Sequence, residues 1–225
     1  GPEAGVWVIA ETKDLPTKFA KVVVTDDKGR YLLPEMPSAQ YQVWVRGYGL
    51  VDSEKVVARP GQQLDLKAVP APDEKSAAQY YPGMYWYTLL DIPKASDFPG
   101  TGEKGNGVPA HMKKQSYWVD TVKNSCQSCH ALGSEGMRKV PEMYKKMAHG
   151  DSFGAWAYRT QAGQAMAYMG ISVGRLGPEK GLELFADWTD KIEKGALPFA
   201  KPERPKGVER NVVITMWDYS SNKYY

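Results

Sequence analysis

The stretch NSCQSCHALG, residues 124–133, constrains the chain most, because it contains both cysteines among 225 residues. Cys126 and Cys129 are separated by two residues, and His130 follows at once. Two cysteines are too few to hold a chain of this length together as a disulfide scaffold. With 42% hydrophobic and 24% charged residues, the chain can bury a conventional core instead. The pair therefore predicts a local chemical site within a globular fold.

The order Cys-x-x-Cys-His is the attachment sequence for haem c. A short helical turn with this spacing presents the thiols of Cys126 and Cys129 to the two vinyl groups on one edge of a porphyrin. His130 then offers its imidazole to the iron as the proximal ligand. Thioether bonds at both positions also account for the lack of any other cysteine. The motif predicts one covalently bound haem c.

Three other interpretations of the motif stay open at this stage. A structural zinc site needs four ligands, which His111, His130 and His149 can complete only in principle. His130 abuts Cys129 and would strain a tetrahedral arrangement. A thioredoxin-like redox pair needs its cysteines after a strand and at the start of a helix, whereas a helical pattern precedes this motif. The last interpretation is a coincidental pair of thiols.

Residues 113–198 have a helical hydrophobic period and predict an all-α domain. One run, KKQSYWVDTVKNS, leads into the motif. A second run, DSFGAWAYRTQAGQAMAYMG, ends at Gly170. A last amphipathic helix is expected to begin at Pro178, with Gly177 as its N-cap, and to stop at Gly195.

This order of helix, motif and closing helix resembles the class I cytochrome c domain, in which the motif follows the first of two crossing terminal helices. The resemblance extends over residues 113–198. It implies that Cys126 and Cys129 are the thioether sites and that His130 is the proximal ligand. The sequence departs from the family because it has no helix-free methionine loop just before the last helix.

The distal ligand is predicted to be Met169, because thioether and imidazole side chains suit haem iron. Met169 precedes Gly170, where the helical run is expected to break into GISVGRLG and free the methionine to turn toward iron. His149 and Met166 are the alternatives. The remaining downstream methionines are set aside as too close to the motif, as core residues or as lying beyond the domain: Met137, Met143, Met147 and Met216.

The N-terminal region, residues 1–70, predicts a small antiparallel β-sandwich. Short runs rich in Val, Tyr and Trp alternate there with turn signals. The predicted strands are GVWVIAE, KFAKVVVTD, GRYLLP, YQVWVRGYG, EKVVARPG and QLDLKAV. Within YQVWVRG, the residues Tyr41, Val43 and Val45 fall on one face of the strand.

The stretch DDKGRYLLPEMPSAQYQVWVRGYG resembles the carboxypeptidase-regulatory-like, transthyretin-like sandwich family. The matching features are Gly29-Arg30-Tyr31, Leu33-Pro34, Pro37, Tyr41-x-Val43 and Val45-Arg46-x-x-Gly49. Members of the family have no catalytic residues of their own. The resemblance therefore implies a structural or docking role, with a carbohydrate- or protein-binding face as the alternative.

Two further segments complete the predicted organisation, which is multi-domain and β followed by α. Residues 71–112 are rich in aromatics, Gly and Pro without a period, and are expected to pack as an ordered connecting strap. Residues 199–225 form an extended C-terminal segment with one strand, Asn211–Trp217, which needs a pairing partner in the sandwich, another domain or a second chain. The whole order resembles the N-terminal part of bacterial proteins in which a virginiamycin-lyase-like β-propeller follows a cytochrome.

These features together predict a periplasmic or otherwise exported c-type cytochrome that transfers electrons, since haem c is attached outside the bacterial cytoplasm. An electron-transfer part of a larger oxidoreductase with a β-propeller, a sandwich-mediated binding module and a peroxidase-like open haem are the alternatives. A net charge of +3 argues against nucleic-acid binding, and no apolar run reaches the roughly 20 residues of a membrane span.

Basic residues around the motif are interpreted either as an ordinary solvated surface or as a basic rim that steers an acidic redox partner. Three acidic residues, Asp120, Glu135 and Glu142, oppose a larger set of basic residues between His111 and Gly150. The basic set is Lys113, Lys114, Lys123, Arg138, Lys139, Lys145 and Lys146.

Overall fold

A computed structural model of the protein describes residues 1–198, which divide into two compact units, Gly1–Tyr81 and Pro82–Pro198. The first unit is built from β-strands and the second from helices, so the coarse class predicted from the sequence is confirmed. The predicted connecting strap is shared between the two units. The predicted C-terminal strand, Asn211–Trp217, lies outside the described residues.

The first unit contains a four-stranded antiparallel sheet in the order β2-β1-β3-β5. Two short strands, β4 and β6, pair in a separate two-stranded sheet, and a short helix, α1, follows β6 in the chain. The bounds are β1 Trp7–Thr12, β2 Phe19–Val24, β3 Tyr41–Arg46, β4 Leu50–Val51, β5 Val56–Ala58, β6 Val69–Pro70 and α1 Glu74–Ala78.

The alternation of side chains in β1 and β3 places the core of the first unit on one face of the sheet. Val8 pairs with Val45, and Ala10 pairs with Val43, and all four are almost fully buried. Tyr41 belongs to the same cluster. The predicted inward face of β3 is therefore confirmed.

Two of the strands predicted for the first unit are absent. Residues 31–34 of GRYLLP have no regular secondary structure, and QLDLKAV forms no strand before Val69. Leu33, Leu64 and Leu66 still pack against the core, as partly buried side chains outside the sheet hydrogen bonds. The alternation of apolar residues predicted which side chains pack against the core. It did not predict whether the backbone of these residues forms hydrogen bonds with a neighbouring strand.

The second unit contains five α-helices, and residues 82–198 include no strand. The helices are α2 Gln115–Thr121, α3 Glu142–Met147, α4 Ser152–Thr160, α5 Met166–Leu176 and α6 Pro178–Glu193. Two 3-10 helices, Gly83–Leu89 and Ala95–Asp97, precede them, and a π-helical turn, Val122–Cys126, follows α2 directly.

The closing helix α6 begins and ends where its sequence predicts. Gly177 has φ 90° and Pro178 occupies the first helical position, where its missing N–H costs no hydrogen bond. Gly195 has φ 95°, just after the last turn. This amphipathic helix packs against α4 and α5 and contributes buried Leu184, Phe185 and others to the unit's core.

The second predicted helical run is divided in two, and its expected break at Gly170 is wrong. Residues 161–165 separate α4 from α5, and Gly163 lies there with φ 80°. Helix α5 then continues through Gly170 to Leu176. The left-handed backbone at Gly163 ends the regular helix, whereas a helical glycine such as Gly170 costs only about 1 kcal/mol.

The aromatic part of the predicted strap is packed, as expected. Trp86, in the 3-10 helix Gly83–Leu89, is 1% exposed. Its carbonyl oxygen accepts a hydrogen bond of 2.9 Å from Nε1 of Trp188 in α6, which is also fully buried. Trp86 therefore belongs to the core of the helical unit and fixes residues 83–89 to its surface. Among the described residues, no helix is both long and apolar enough to cross a membrane.

Candidate functional site

The Cys-x-x-Cys-His motif lies where α2 passes through the π-helical turn Val122–Cys126. Buried Trp118 and Val122 anchor this segment, and Nε1 of Trp118 donates to the carbonyl oxygen of Leu176 at 3.0 Å. The backbone N–H of His130 donates to the carbonyl oxygen of Cys126 at 3.1 Å. The motif is thus a closed turn at a helix end, and π-helical turns are frequent at functional sites.

The two thiols have different surroundings. No disulfide joins the two cysteines; Cys129 is exposed, and Cys126 is half-buried. Burial raises the pKa of the Cys126 thiol to about 11, so the thiol is protonated at neutral pH. A reactive redox cysteine needs a lowered pKa instead. The surroundings of Cys126 therefore do not suit the thioredoxin-like alternative.

A small apolar cleft of about 60 Å³, partly open to solvent, brings the motif together with three helices. Cys126, Cys129 and His130 line one side. The other lining residues come from the loop after the motif, from α4 and its C-terminal loop, from α5 and from α6, and they are mainly apolar: Leu132, Met137, Trp156, Thr160, Ala165, Tyr168, Met169, Ser172, Val173 and Phe185, together with Ser125. The cleft is much smaller than the roughly 300–1,000 Å³ of typical cofactor sites, so its apolar lining beside the motif, and not its volume, is the feature that suits a cofactor.

The back of the cleft is rigid. The rings of Trp156 and Phe185 stack with centroids 5.0 Å apart, and Nε1 of Trp156 donates to Oγ1 of Thr189 at 3.2 Å. Nδ1 of His130 is shielded from solvent. The aromatic wall and the imidazole are therefore held in a region of low polarity.

The structure places Met169 in this cleft, and places neither alternative ligand there. Met169 is half-buried in α5 and lines the cleft. Helix α5 is continuous at this point, so the helix break predicted beside Met169 is absent. Met166 is 55% exposed. His149 is exposed, has φ 52° and lines a separate shallow pocket with Lys145 and Asp190. Of the three sequence candidates, Met169 is the one brought together with the motif.

A second methionine, Met137, also lines the cleft and was set aside in the sequence. It is 6% exposed. Its short separation from His130 suggested that it could not reach across a bound porphyrin. The loop after His130 folds back onto the cleft wall, and no feature of the sequence indicated that return.

The predicted basic rim has fewer exposed basic side chains than the seven basic residues counted in the sequence. Arg138 is 4% exposed, so it belongs to the interior and not to the rim. Lys139 pairs with Glu135 at 2.7 Å and Lys145 with Glu193 at 2.5 Å. Five lysines keep the predicted exposure, and of these Lys139 is the one paired with Glu135: Lys113, Lys114, Lys123, Lys139 and Lys146.

The described residues include no cluster of three or more His, Cys, Asp and Glu side chains arranged to hold a metal ion. A four-coordinate zinc site would need two donors in addition to the two cysteines. A haem differs in this respect, because the porphyrin supplies four of the six ligands to iron.

Comparison of the chain with protein-family models, with curated proteins and with solved structures finds no match in any of the three. Function is therefore argued from the cleft itself.

Proposed function

We propose that the protein is a periplasmic or otherwise exported c-type cytochrome that transfers single electrons through one covalent haem c. The observation that supports this most directly is the cleft, which brings Cys126, Cys129, His130 and Met169 into one lining. The motif alone carries two thiols and an imidazole, and folding adds a thioether and an apolar wall. Bound haem supplies a one-electron iron couple, whose potential depends on axial ligands and burial.

The residues divide into three roles in this proposal. Cys126 and Cys129 would hold the group through two thioether bonds. His130 would supply an imidazole and Met169 a thioether to the iron. The apolar lining, including the stacked Trp156 and Phe185, would shield the group from part of the solvent and so limit its reorganisation during electron exchange.

The test is the absorbance spectrum of the reduced protein together with its intact mass. The spectrum should be that of a low-spin haem c, and the mass should exceed that of the 25.0 kDa polypeptide by one haem. Acid-acetone should fail to extract the colour, because the thioether bonds are covalent. A colourless protein from a host with a working haem c maturation system contradicts the proposal, as does colour that acid-acetone removes.

The redox partner is proposed to be an acidic protein. Lys123 is exposed within the turn that leads into Cys126, next to the predicted attachment site. We expect the rate of electron exchange with such a partner to fall steeply as salt rises, because exposed charges are screened over about 8 Å at physiological ionic strength. A neutral small-molecule mediator is the control, and its rate should change little. Equal salt dependence with both reagents rejects an electrostatic docking surface.

A further inference from the structure

The loop that follows His130 is fastened to the 3-10 helix Gly83–Leu89 through two glycines. A Cβ atom added to Gly133 would lie 1.6 Å from the carbonyl oxygen of Gly83 and 2.4 Å from its carbonyl carbon. These two backbones therefore approach closer than any side chain allows. Gly133 is three residues after His130, so this contact fixes the exit of the motif.

Arg138 closes the same loop from the inside. Its Nη1 donates to the carbonyl oxygen of Gly133 at 2.9 Å, and its guanidinium carbon lies 4.3 Å from the ring centroid of Trp86. The backbone N–H groups of Met137 and Arg138 both donate to the carbonyl oxygen of Ser134. The arginine thus spans from its own loop to the aromatic segment, a geometry that suits a planar cation over a π face.

Trp86 is itself held by the closing helix. Its carbonyl oxygen accepts from Trp188, and both indoles are 1% exposed or less. A continuous set of contacts therefore runs from α6 through Trp86 and Arg138 to the loop. Leu132 and Met137, the neighbours of Gly133 and Arg138 in sequence, line the cleft.

Arg138 is also a positive charge in the interior. Guanidinium groups stay charged in proteins, and a charge that is shielded from water acts over a longer distance than an exposed one. The lysine next in sequence, Lys139, is well exposed and is paired with Glu135. The chain therefore offers two neighbouring cations that differ in burial.

We infer that Arg138 is a positioning residue for His130 and the internal charge that sets the potential of the cleft, with Trp86 as its support. This inference rests on the proposed function. Arg138 does not line the cleft itself but directly follows Met137, which does. Its charge would favour the redox state of bound iron that carries less positive charge, which is the reduced state. The contact through Gly133 fixes the loop that carries the proximal imidazole.

The test measures the reduction potential of the holoprotein in three variants. Arg138→Met removes the internal charge and keeps an unbranched side chain. We expect its equilibrium constant for reduction by a fixed mediator to fall about tenfold, which is 59 mV for a one-electron couple. Arg138→Lys keeps the charge and should keep the potential. Lys139→Met removes a charge from the surface and should change the constant less than about twofold, because exposed charges are screened.

Electron paramagnetic resonance of the oxidised protein tests the positioning role. Arg138→Lys loses the planar fork that reaches both Gly133 and Trp86, so its g-values, which report axial-ligand orientation, should shift although its potential does not. Trp86→Phe keeps an aromatic face and should show a smaller shift. Unchanged g-values in Arg138→Lys overturn the positioning role.

Three results separate the failure of this inference from that of the proposed function. If wild-type protein carries no covalent haem, both are wrong. If the haem is present and Arg138→Met has the potential of Lys139→Met, the inference is wrong and the cytochrome assignment stands. If Arg138→Met does not fold, the reduction potential of Arg138→Lys is the test. This variant keeps the positive charge, so a potential below that of the wild type contradicts the role of the charge.

Discussion

The double variant Cys126→Ala/Cys129→Ala is expected to contain no covalently bound haem and to have the mass of its polypeptide alone. Both attachment sites lie within the described cleft, and the sequence offers no other thiol. Each single variant should keep one thioether bond and show a lower yield of attached haem. Intact mass and acid-acetone extraction, measured on the same preparations, check all three variants.

Ser128→Ala is the matched control for the two cysteines. Ser128 lies between them, is exposed, and donates from Oγ to the carbonyl oxygen of Ser125 at 2.8 Å. Losing this exposed hydrogen bond costs about 1 kcal/mol or less, so attachment should stay complete. His130→Ala should retain the covalent bonds and lose the low-spin spectrum. Full attachment in the double variant would falsify the assignment of both thiols.

The sequence predicted the elements whose signals are local. The bounds of α6 followed from Gly177, Pro178 and Gly195, because each residue has a backbone preference that acts at its own position. The inward face of β3 followed from the period of two in Tyr41, Val43 and Val45. The motif predicted Cys126, Cys129 and His130 as attachment and ligand residues from their spacing alone, and this assignment stays a prediction.

Features that depend on distant packing were not predictable in the same way. GRYLLP has strand composition, but whether it joins a sheet depends on a neighbouring strand that no local pattern specifies. Gly163 and Gly170 are both glycines in one apolar run, and only the first adopts φ > 0.

Arg138 shows how burial changes the meaning of a residue. In the sequence it is one of seven basic residues near the motif and was assigned to the surface. Its position against Trp86 arises because residues 83–89 pack onto the loop after His130. Trp86 and Arg138 are far apart in the chain, so no periodic pattern in the sequence indicates that they are in contact. The position of Met137 in the cleft lining has no signal in the sequence for a related reason, since a tight loop returns it there.

The axial ligand is the last assignment that a single substitution decides. Met169→Ala is expected to abolish the near-infrared charge-transfer band of the oxidised protein and to lower the reduction potential. A thioether ligand stabilises the reduced iron, so its loss should shift the equilibrium constant for reduction by about tenfold or more. Met169 is the predicted candidate that lines the cleft, and its position in a continuous helix gives it a fixed direction. Redox titration and near-infrared absorbance of the purified holoprotein provide the measurement.

Met166→Ala is the matched control, because Met166 begins the same helix, is 55% exposed and does not line the cleft. It should keep both the band and the potential. Met137→Leu separates the two methionines of the cleft: the band should survive, since leucine fills a similar volume and the ligand is elsewhere. A band that survives Met169→Ala and disappears in Met137→Leu moves the ligand to Met137. No band in the wild type, together with a lower potential on His149→Ala, moves it to His149 and requires a different arrangement of α3 and α4 around the cleft.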